Sequence, residues 1–589
     1  MPAHDGFETM LHPRLIDMLR AAADLNSDAP ALVHLSDPLD ESPRIVTFAE
    51  LVGAIDTIAA TLVAAGLGDE DAVAILSPTT PDTLIAFVAA ATVATAFPVN
   101  PLLSASAMAK QFELARVRAA VVYGPDPALP IWDRFQDVLA LGTPVDTIIE
   151  IDAPGGEHRP AAEVASTLNW NAELSTARRP AARRDNPERV AALFHTGGTS
   201  GNPKLAELGE GALAAGPQMA AAACAWVPND RILCALPHFH VGGTLAVTLS
   251  ALSRGASVYT VGRFGGRDPL LVRHFWALCA THGITIPSIV PTSWSSVLGS
   301  AEGTPPPTLR GAMTGGAAAP AELVERVEHA LGVPMSQVFG MTELAGICSA
   351  QPVDGKFRPH AVGYPAPGVK LALDPVAPGL NEVRIGGPNL FLGYRTPEGR
   401  IGAPGEWLSS GDLGAFDAEG QLQLLGRSKD VIIRSGHNID PAAIEEAAYA
   451  HPGVRHAAAV GFPDAYAGEV PVLFVVAAEN ADLTDLDAIV AAGISEPPAR
   501  PRMIIEIDEM PLTPVGKIER YRLRQRSAVL KAQELLDGFP TQAIRCEDVA
   551  ARTLNIDWVG PAARSDLDRA DQLLREAGLS ARHGGAISS

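Results

Sequence analysis

The sequence predicts an α/β protein in which mostly parallel sheets are covered by helices. Between about residues 48 and 314, segments with helical spacing of apolar residues alternate with short apolar runs, the pattern of repeated βα units. From about residue 363 to 425, short apolar runs alternate with Gly and Pro turns, as in a small antiparallel barrel. A compact α+β pattern follows residue 429, so we expect a large first domain and a smaller second one.

The elements of the first domain follow from periodicity. Residues 48–65 and 81–94 carry apolar side chains at helical spacing, which predicts two helices. Continuous apolar runs predict buried strands at residues 72–76, 119–123, 190–194, 232–236, 257–259, 284–290 and 311–314. Residues 152–186 are rich in Pro, Ala, Arg and Glu and predict a surface connection.

The second domain and the end of the chain have their own pattern. We expect a helix at 442–450, strands at 457–461, 472–476 and 503–507, and a helix at 565–577. The predicted organisation is an N-terminal domain over residues 1–428, a C-terminal domain over 429–540 and an extension over 541–589. The extension has no strong strand signal, and we expect its last ten residues to be disordered.

Composition restricts the function classes. The chain has 589 residues with 47% hydrophobic residues and a net charge of −22, which suits a globular protein and argues against nucleic acid or anionic membrane as partners. The longest apolar stretch, residues 84–99, is too short to span a bilayer comfortably. The five cysteines are scattered without a C-x-x-C pair, which predicts reduced thiols in a cytoplasmic protein.

A loop rich in glycine and hydroxyl residues follows the predicted strand at 190–194. Glycine lets a backbone turn its N–H groups toward a ligand, and hydroxyl and lysine side chains add donors and charge. The residues that would form this phosphate cradle are Thr196, Gly197, Gly198, Thr199, Ser200, Gly201 and Lys204. A Walker A loop is excluded, because Pro203 and Leu205 stand where Gly and Ser or Thr would be needed. Taken alone, the same residues are equally typical of a surface turn.

The string Thr-Gly-Gly-Thr-Ser-Gly-Asn-Pro-Lys closely resembles the phosphate loop of the adenylate-forming enzymes, which include acyl-CoA synthetases, adenylation domains of peptide synthetases and luciferases. Two positions depart from the family pattern, Ser200 for Thr and Leu205 for Gly. The first keeps the hydroxyl, and the second lies outside the cradle. Six further stretches between about residues 47 and 518 match the family in its order.

Two of these stretches concern adenine, phosphate and metal. Val338, Phe339, Gly340, Met341, Thr342 and Glu343 resemble the family's aromatic-Gly-Met-Thr-Glu motif. The resemblance implies that Phe339 stacks on adenine, Thr342 reaches the α-phosphate and Glu343 holds Mg²⁺, for which a carboxylate is a suitable hard ligand. The resemblance also implies an adenine-binding turn at Gly315, Gly316 and Ala317.

Two more stretches concern the ribose and the hinge. Asp412, in Ser-Gly-Asp-Leu-Gly, and Arg427, in Gly-Arg-Ser-Lys-Asp, resemble the residues that contact the ribose hydroxyls. Lys429 occupies the family's hinge position, about which the C-terminal domain rotates between two half-reactions. Read alone, it would be a surface lysine in a linker.

The remaining matches concern the acid and the thiol. Lys517, in Pro-Leu-Thr-Pro-Val-Gly-Lys, resembles the lysine that bridges the substrate carboxylate and the α-phosphate. His240 stands where the family has a residue beside the acyl carboxylate, although a structural histidine fits this context equally well. Gly436 resembles the glycine beside the pantetheine channel, which favours CoA as acceptor.

The resemblance implies an ATP-dependent acyl-CoA synthetase that uses Mg²⁺, forms acyl-AMP with release of pyrophosphate, and transfers the acyl group to CoA. The stretches expected to line the acid pocket contain no Arg or Lys, so we expect a hydrophobic monocarboxylate. An acyl-AMP ligase that loads a carrier protein and a non-catalytic nucleotide-binding relative stay open as alternatives. A homodimer, and an acetyltransferase and deacetylase acting on Lys517, stay open as partners.

Overall fold

The fold is described by a computed structural model, which covers residues 11–153, 166–181, 183, 185–196, 204–263, 265–353, 355, 358, 361–377, 380–435, 437–494, 496–513, 516–548, 552–559, 562–584 and 587–588. The helices are α1 (Leu15–Leu25), α2 (Phe48–Ala64), α3 (Pro81–Val93), α4 (Ala105–Ala115), α5 (Ile131–Ala140), α6 (Trp170–Leu174), α7 (Glu210–Ala223), α8 (Ser250–Ser253), α9 (Pro269–Arg273), α10 (Phe275–Thr281), α11 (Pro291–Ser300), α12 (Ala321–Leu331), α13 (Pro441–Tyr449), α14 (Leu486–Gly493), α15 (Arg520–Leu535) and α16 (Arg564–Glu576).

The strands are β1 (Pro30–Leu35), β2 (Arg44–Thr47), β3 (Ala72–Leu76), β4 (Thr95–Pro98), β5 (Val117–Tyr123), β6 (Thr147–Ile151), β7 (Ser166–Asn169), β8 (Val190–His195), β9 (Leu205–Gly209), β10 (Arg231–Cys234), β11 (Ser257–Val261), β12 (Ile286–Ser288), β13 (Ala312–Gly315), β14 (Met335–Met341), β15 (Gly346–Ala350), β16 (Tyr364–Pro365), β17 (Lys370–Ala377), β18 (Leu380–Gly386), β19 (Gly393–Thr396), β20 (Gly399–Ile401), β21 (Leu408–Phe416), β22 (Leu422–Arg427), β23 (Ile432–Arg434), β24 (His437–Ile439), β25 (Val454–Asp464), β26 (Gly468–Ala477), β27 (Ile504–Glu506), β28 (Thr541–Asp548), β29 (Thr553–Trp558), β30 (Ala562–Ala563), β31 (Ser580–Gly584) and β32 (Ile587–Ser588).

Two nine-stranded sheets form the body of the N-terminal part, in the orders β16-β15-β14-β13-β12-β10-β11-β1-β2 and β20-β19-β9-β8-β4-β3-β5-β6-β7. Their central neighbours are parallel, as the βα alternation predicts. Helix α3 is buried on nearly every face, which explains why its sequence is apolar all round. The apolar stretch at residues 84–99, which we expected to be too short to span a bilayer, forms most of α3 together with β4. Across the described residues, no helix combines the length and apolarity needed to cross a membrane.

The turn-rich region after residue 363 is antiparallel, as predicted, but its strands divide between two sheets. Strands β17, β18, β21 and β22 form a four-stranded antiparallel sheet. The hairpin β19–β20 instead joins the edge of the second large sheet, where β19 pairs with β9. The sequence analysis did not predict this separation, because the pairing partners lie far apart in the chain.

The C-terminal part contains a sheet of β24-β23-β26-β25, with β27 added beside β26 and α13 packed against β25. Its predicted helix and three strands are all present, with β25 and β26 longer than expected. The predicted strand at 284–290 is shorter, because only Ile286–Ser288 pairs with neighbours.

The extension corrects an expectation. Strands β28, β29 and β31 form a three-stranded sheet that packs with α16 against α15, and Ser580–Gly584 is a strand where we expected disorder. The physical reason is alternation within short strands. In Thr553–Trp558, every second side chain (Leu554, Ile556 and Trp558) is buried, whereas its polar neighbours lie outward. The helix predicted at 565–577 is α16.

The five cysteines carry no disulfide, as predicted. Cys224, Cys234, Cys279 and Cys348 are buried and Cys546 is half-buried. Burial raises the pKa of the Cys234 thiol to about 11, so this thiol stays protonated and unreactive at neutral pH.

Candidate active site

The phosphate loop connects two antiparallel strands, β8 and β9, which lie inside the second large sheet between β4 and β19. Strand β8 enters the loop and β9 leaves it, with His195 paired to Leu205. The predicted cradle residues Gly197, Gly198, Thr199, Ser200 and Gly201 lie outside the described residues. The two flanking residues lie together, because the Thr196 N–H donates to the Lys204 carbonyl over 3.5 Å. The hairpin therefore places the Lys204 side chain at the mouth of the loop.

Glu343 lies in a short 3₁₀ turn, Thr342–Leu344, directly after β14. It is buried, and its carbonyl accepts a hydrogen bond from the Phe391 N–H at 2.9 Å. Its carboxylate Oε1 accepts a hydrogen bond from the Tyr394 hydroxyl at 2.5 Å. A buried carboxylate needs such a partner to offset the loss of water. The turn thus fixes one oxygen of Glu343.

The motif residues before Glu343 form the end of β14. Phe339 is only 8% exposed and belongs to the main core, whereas Val338 and Met341 are half-buried. Gly340 has no room for a side chain, since a Cβ would lie 2.2 Å from the Gly346 carbonyl oxygen. Close packing of two backbones therefore explains this glycine.

The predicted adenine turn follows β13, the neighbour of β14. Gly315 pairs with Val338, and a Cβ on Gly315 would lie 2.4 Å from a Val338 methyl group. Gly316 has φ +83°, a backbone conformation that favours glycine. Gly316 and Ala317 are exposed, so a ligand can approach their backbone.

Asp412 and Arg427 are cross-strand partners in the β21–β22 pair. Arg427 Nε donates to Asp412 Oδ1 at 2.8 Å, and Asp412 is buried while the arginine is partly exposed. Burial acts against the charge of Arg427, but the hydrogen bond and charge of Asp412 outweigh it and raise the pKa of the guanidinium. The two predicted ribose residues therefore form one unit.

Lys517 reaches this site from the C-terminal part. Its loop is closed by the Thr513 N–H, which donates to the Lys517 carbonyl at 2.7 Å, and by Gly516, which has φ +79°. The Thr292 hydroxyl on α11 donates to the Gly516 carbonyl at 3.0 Å. A Cβ on Gly316 would lie 3.4 Å from Lys517 Cε, so the lysine lies against the adenine turn.

The electrostatic surroundings of Lys517 combine both signs of charge. Burial and the positive charge of Arg427 lower the pKa of Lys517, and the carboxylates of Asp412 and Glu343 counteract them in part. The four charges come from three places: the loop of Lys517, the β21–β22 pair with Asp412 and Arg427, and the 3₁₀ turn with Glu343. The structure therefore brings together residues that are up to 174 positions apart in the sequence, which is the separation of Glu343 and Lys517.

His240 lies beside this group, and its Nδ1 accepts a hydrogen bond from the Gly242 N–H at 3.1 Å. Burial, followed by the charges of Lys517 and His195, holds the pKa of His240 well below its ordinary value. Burial also lowers the pKa of His195 to about 4, and the His195 ring lies 6.0 Å from the ring of Phe239. Both imidazoles are therefore neutral at neutral pH.

The chain after His240 forms a π-helical stretch, Gly242–Leu249, continued by α8. Such widened helical turns are frequent at functional sites. Gly243, at the start of this stretch, has no room for a side chain, because a Cβ there would lie 2.5 Å from the Pro237 carbonyl oxygen. Gly346 is constrained by its backbone instead, because it has φ +143°, a conformation that favours glycine, whereas a Cβ there would lie 3.8 Å or more from its neighbours Gly216 and Ala246.

Lys429 is exposed, directly after β22 and before the C-terminal sheet. Arg524 on α15 donates to the Lys429 carbonyl at 3.2 Å and to Asp430 Oδ1 at 2.5 Å. The hinge candidate is thus tied by its backbone to the C-terminal part. Gly436, the predicted thiol-channel glycine, lies outside the described residues.

Sequence reasoning missed Tyr394, which contacts two site residues. Besides its hydrogen bond to Glu343, its ring lies 5.9 Å from Lys204 Nζ. Burial and the neighbouring Glu343 raise the pKa of the Tyr394 phenol, which therefore remains a hydrogen-bond donor. Its local sequence, Leu-Gly-Tyr-Arg, carries no chemical motif, and only the pairing of β19 with β9 brings it to the site.

Residues 19–395 match the family described as AMP-binding enzyme, and residues 443–517 match the AMP-binding enzyme C-terminal domain. The chain belongs to the AMP-binding enzyme family. This membership confirms the resemblance to the adenylate-forming superfamily and the predicted enzyme class, an AMP-forming carboxylate ligase.

Curated relatives of this adenylate-forming enzyme align over most of its length. Marinolic acid–CoA ligase of Pseudoalteromonas sp. is 31% identical over 80% of this chain and 75% of its own. Sulfoacetate–CoA ligase of Cupriavidus necator is 30% identical over 87% and 98%. Indoleacetate–CoA ligase of Aromatoleum aromaticum is 30% identical over 82% and 93%.

Solved structures confirm the fold of the adenylate-forming enzyme. The anthranilate CoA ligase AuaEII, in complex with anthranoyl-AMP, superposes with a TM-score of 0.75 at 21% identity, covering 88% of this chain and 98% of that one. The ATP-bound RpMatB-BxBclM chimera B1 gives 0.71 at 24% identity, with 88% and 99% covered. These likenesses confirm the predicted large N-terminal part of parallel sheets and the smaller C-terminal part.

Proposed function

We propose that the protein is an ATP-dependent acyl-CoA synthetase that activates a hydrophobic monocarboxylate as acyl-AMP and transfers the acyl group to CoA. One observation carries this proposal. Lys517, from the C-terminal part, lies against Gly316 and in the field of Asp412, Glu343 and Arg427. An ammonium ion in that place suits a reaction in which a carboxylate and an α-phosphate approach each other.

In the first half-reaction, a carboxylate oxygen of the acid attacks the α-phosphorus, and the bond to pyrophosphate breaks. Lys517 offsets the negative charge that both reactants bring together. Thr342 and the phosphate-loop hydroxyls would donate to phosphate oxygens. Asp412 would accept from the ribose hydroxyls, since each of its oxygens takes one hydrogen bond from Arg427, at 2.8 and 3.4 Å, and a carboxylate oxygen can accept a second one.

Glu343 fits the predicted role toward Mg²⁺. Its carboxylate is buried, and within the described residues Tyr394 alone donates a hydrogen bond to its side chain. Among those residues, no group of three His, Cys, Asp or Glu side chains could hold an ion alone. A site that combines one carboxylate with substrate phosphates is typical of Mg²⁺, which bridges and neutralises phosphate oxygens when bound.

In the second half-reaction, the thiol of CoA attacks the acyl carbon and AMP leaves. This requires Lys517 to withdraw, for which we propose rotation of residues 429–540 about Lys429 relative to residues 1–428. The exposure of Lys429 and the bond from Arg524 to its carbonyl support this pivot. Gly436 would then border the thiol channel.

The acid class rests on the neutral character of the expected pocket. The residues expected to line it, 240–244, 315 and 339–346, include no Arg or Lys that could pair a second carboxylate. His240 and His195 are uncharged at neutral pH, for which burial is the main cause. The relatives are named for acids of different kinds, from indoleacetate and long-chain fatty acids to sulfoacetate and oxalate, which carry two acidic groups, so the proposed class rests on the pocket of this chain.

The experiment is a panel of carboxylic acids scored by pyrophosphate release, with and without CoA. Aliphatic and aromatic monocarboxylates of increasing size should release pyrophosphate, whereas matched dicarboxylates should not. Addition of CoA should then yield the thioester and AMP in equal amounts. Pyrophosphate release without a CoA thioester would redirect the proposal to a carrier protein as acceptor, and oxygen consumption would indicate a luciferase-type reaction.

A further inference from the structure

The hairpin β19–β20 is held firmly beside the phosphate loop. Arg395 Nε donates to Glu207 Oε1 at 2.6 Å, and Arg400 pairs with the other oxygen of the same carboxylate. Glu207 is buried in β9, so two arginines share one fixed anchor. A second bond from Arg395 reaches the Ala115 carbonyl at 3.1 Å.

This anchoring fixes Tyr394 relative to the loop. Tyr394 pairs with Ala206 and Arg395 pairs with Leu205, so the tyrosine lies opposite the second residue after Lys204. Its ring also packs against Phe391, with centroids 4.8 Å apart and planes at 71°, a favourable edge-to-face geometry. Phe391 is itself bonded to the backbone of Glu343.

Tyr394 therefore stands between two opposite charges. Its hydroxyl donates a hydrogen bond to Oε1 of Glu343, and its ring centroid lies 5.9 Å from the Lys204 ammonium. Within the described residues, Lys204 and Glu343 form no direct ion pair, although both lie within reach of the same aromatic ring. A direct pair would occupy the charges that ATP and Mg²⁺ require, whereas an aromatic face attracts an ammonium ion without neutralising it.

Resting on the proposed function, we propose that Tyr394 is a positioning residue for the ATP-consuming step. Its hydroxyl orients the Glu343 carboxylate toward the metal, and its ring keeps the Lys204 ammonium apart from that carboxylate and directed at the phosphates. Hydrogen-bond partners of this kind typically change metal affinity by about 10-fold to 100-fold when they are removed.

The test separates the hydroxyl from the ring. The affinity for a non-hydrolysable ATP analogue is measured by calorimetry with excess EDTA and with excess Mg²⁺, in the full-length wild-type protein and in two variants. Tyr394→Phe should keep the metal-free affinity and lose about tenfold of the gain that Mg²⁺ provides. Tyr394→Leu should also lose a few-fold of the metal-free affinity, because the ring that orients Lys204 is gone.

Tyr449→Phe is the matched control. The Tyr449 hydroxyl also makes one hydrogen bond, accepting the Ala457 N–H at 3.1 Å, but it lies in the C-terminal part away from Glu343. This variant should bind the analogue like the wild type under both conditions. Thermal unfolding of each variant checks that the fold is retained.

Two results would overturn the inference. If Tyr394→Phe keeps the full wild-type gain in analogue affinity that Mg²⁺ provides, the hydroxyl does not position the metal ligand. A Tyr394→Leu protein that is folded and keeps the metal-free affinity would remove the ring from Lys204 positioning. Failure of the proposed function would appear separately, as absence of pyrophosphate release by the wild type with every acid in the panel.

Discussion

The nucleotide side and the lysine side of the site are built in different ways. On the nucleotide side, Glu343 lies just after β14 and Lys204 just before β9 of the two large sheets, and Asp412 lies in β21 of the four-stranded sheet. The buried carboxylates of Glu343 and Asp412 accept hydrogen bonds from Tyr394 and Arg427. On the other side, Lys517 lies on a loop of the C-terminal part. Two hydroxyls of α11 donate hydrogen bonds to that part. Thr292 donates to the Gly516 carbonyl, and Ser295 donates to the Arg455 carbonyl.

This difference assigns different tasks to the two sides. Neutral hydrogen bonds contribute about 0.5–1.5 kcal/mol each, so a contact held by a few of them can break and reform during turnover. In the Asp412–Arg427 pair the arginine is partly exposed but the carboxylate is buried, so separating the pair leaves a buried charge without its partner, which costs more than losing a neutral hydrogen bond. Changes on the nucleotide side should therefore affect ATP use itself, whereas changes on the lysine side should affect the two half-reactions unequally.

The largest expected effect comes from Lys517→Ala. Acyl-AMP formation should fall by about 10²–10³ or more, because a preorganised positive charge is lost where negative charge gathers. Thioester formation from supplied acyl-AMP should remain largely intact. The two half-reactions are measured separately, by pyrophosphate release and by acyl-CoA formation from synthetic acyl-AMP. An equal loss in both would contradict the division of tasks.

Lys429→Pro should give the opposite pattern. Proline fixes φ near about −65° and so restricts the torsion that a pivot must change. Pyrophosphate release in a single turnover should survive, since Lys517 already lies at the site, while acyl-CoA appears about 10² more slowly. Rapid-quench measurements follow both products. If pyrophosphate release and acyl-CoA formation both run at wild-type rates, Lys429 is not the pivot, and a domain boundary at that residue has no mechanical meaning.

Glu343→Gln tests the nucleotide side. The amide keeps the shape and can still accept from the Tyr394 hydroxyl, but it lacks the charge that a hard cation requires. We expect the Mg²⁺ concentration for half-maximal pyrophosphate release to rise about tenfold, which corresponds to about 1.4 kcal/mol. Metal-free nucleotide binding should change little. Normal turnover at ordinary Mg²⁺ concentrations would place the metal elsewhere.

Sequence patterns predicted the parts of the fold that have one strong local signal. Helix α2 has apolar residues at helical spacing and strand β3 is a continuous apolar run. The residues around Glu343, Asp412 and Lys517 lie in recognisable sequence motifs. Tyr394 could not be predicted in this way. Its role depends on the Arg395–Glu207 anchor, which joins residues 188 positions apart and leaves no trace in the local sequence.

The extension shows a second limit. Strand β29 buries three side chains in six residues, and these become a core only when α15 and α16 cover them. Over so short a length, alternation cannot be told from a polar loop. The apolar face of α15, with Ala528, Ala532 and Leu536 buried, provides the missing partner.

The smallest expected effect concerns the contact that holds the lysine side in place. Ser295→Ala removes the hydroxyl that donates to the Arg455 carbonyl at 2.9 Å. Losing one neutral hydrogen bond of about 0.5–1.5 kcal/mol should lower the ratio of molecules with Lys517 at the site to molecules with Lys517 withdrawn by about twofold to tenfold. Pyrophosphate release should slow accordingly, whereas thioester formation from supplied acyl-AMP should stay equal or rise slightly.

Ser296→Ala is the matched control on the same helix. The Ser296 hydroxyl donates to the Thr292 carbonyl at 3.1 Å, within α11, and makes no bond to the C-terminal part among the described residues. It should leave the ratio of the two half-reactions unchanged. If Ser295→Ala also leaves that ratio unchanged, the α11 contact does not bias the domain position, and the lysine must be held by packing between the two parts. The ratio is informative because instability lowers both rates together, whereas a shifted domain position moves them in opposite directions.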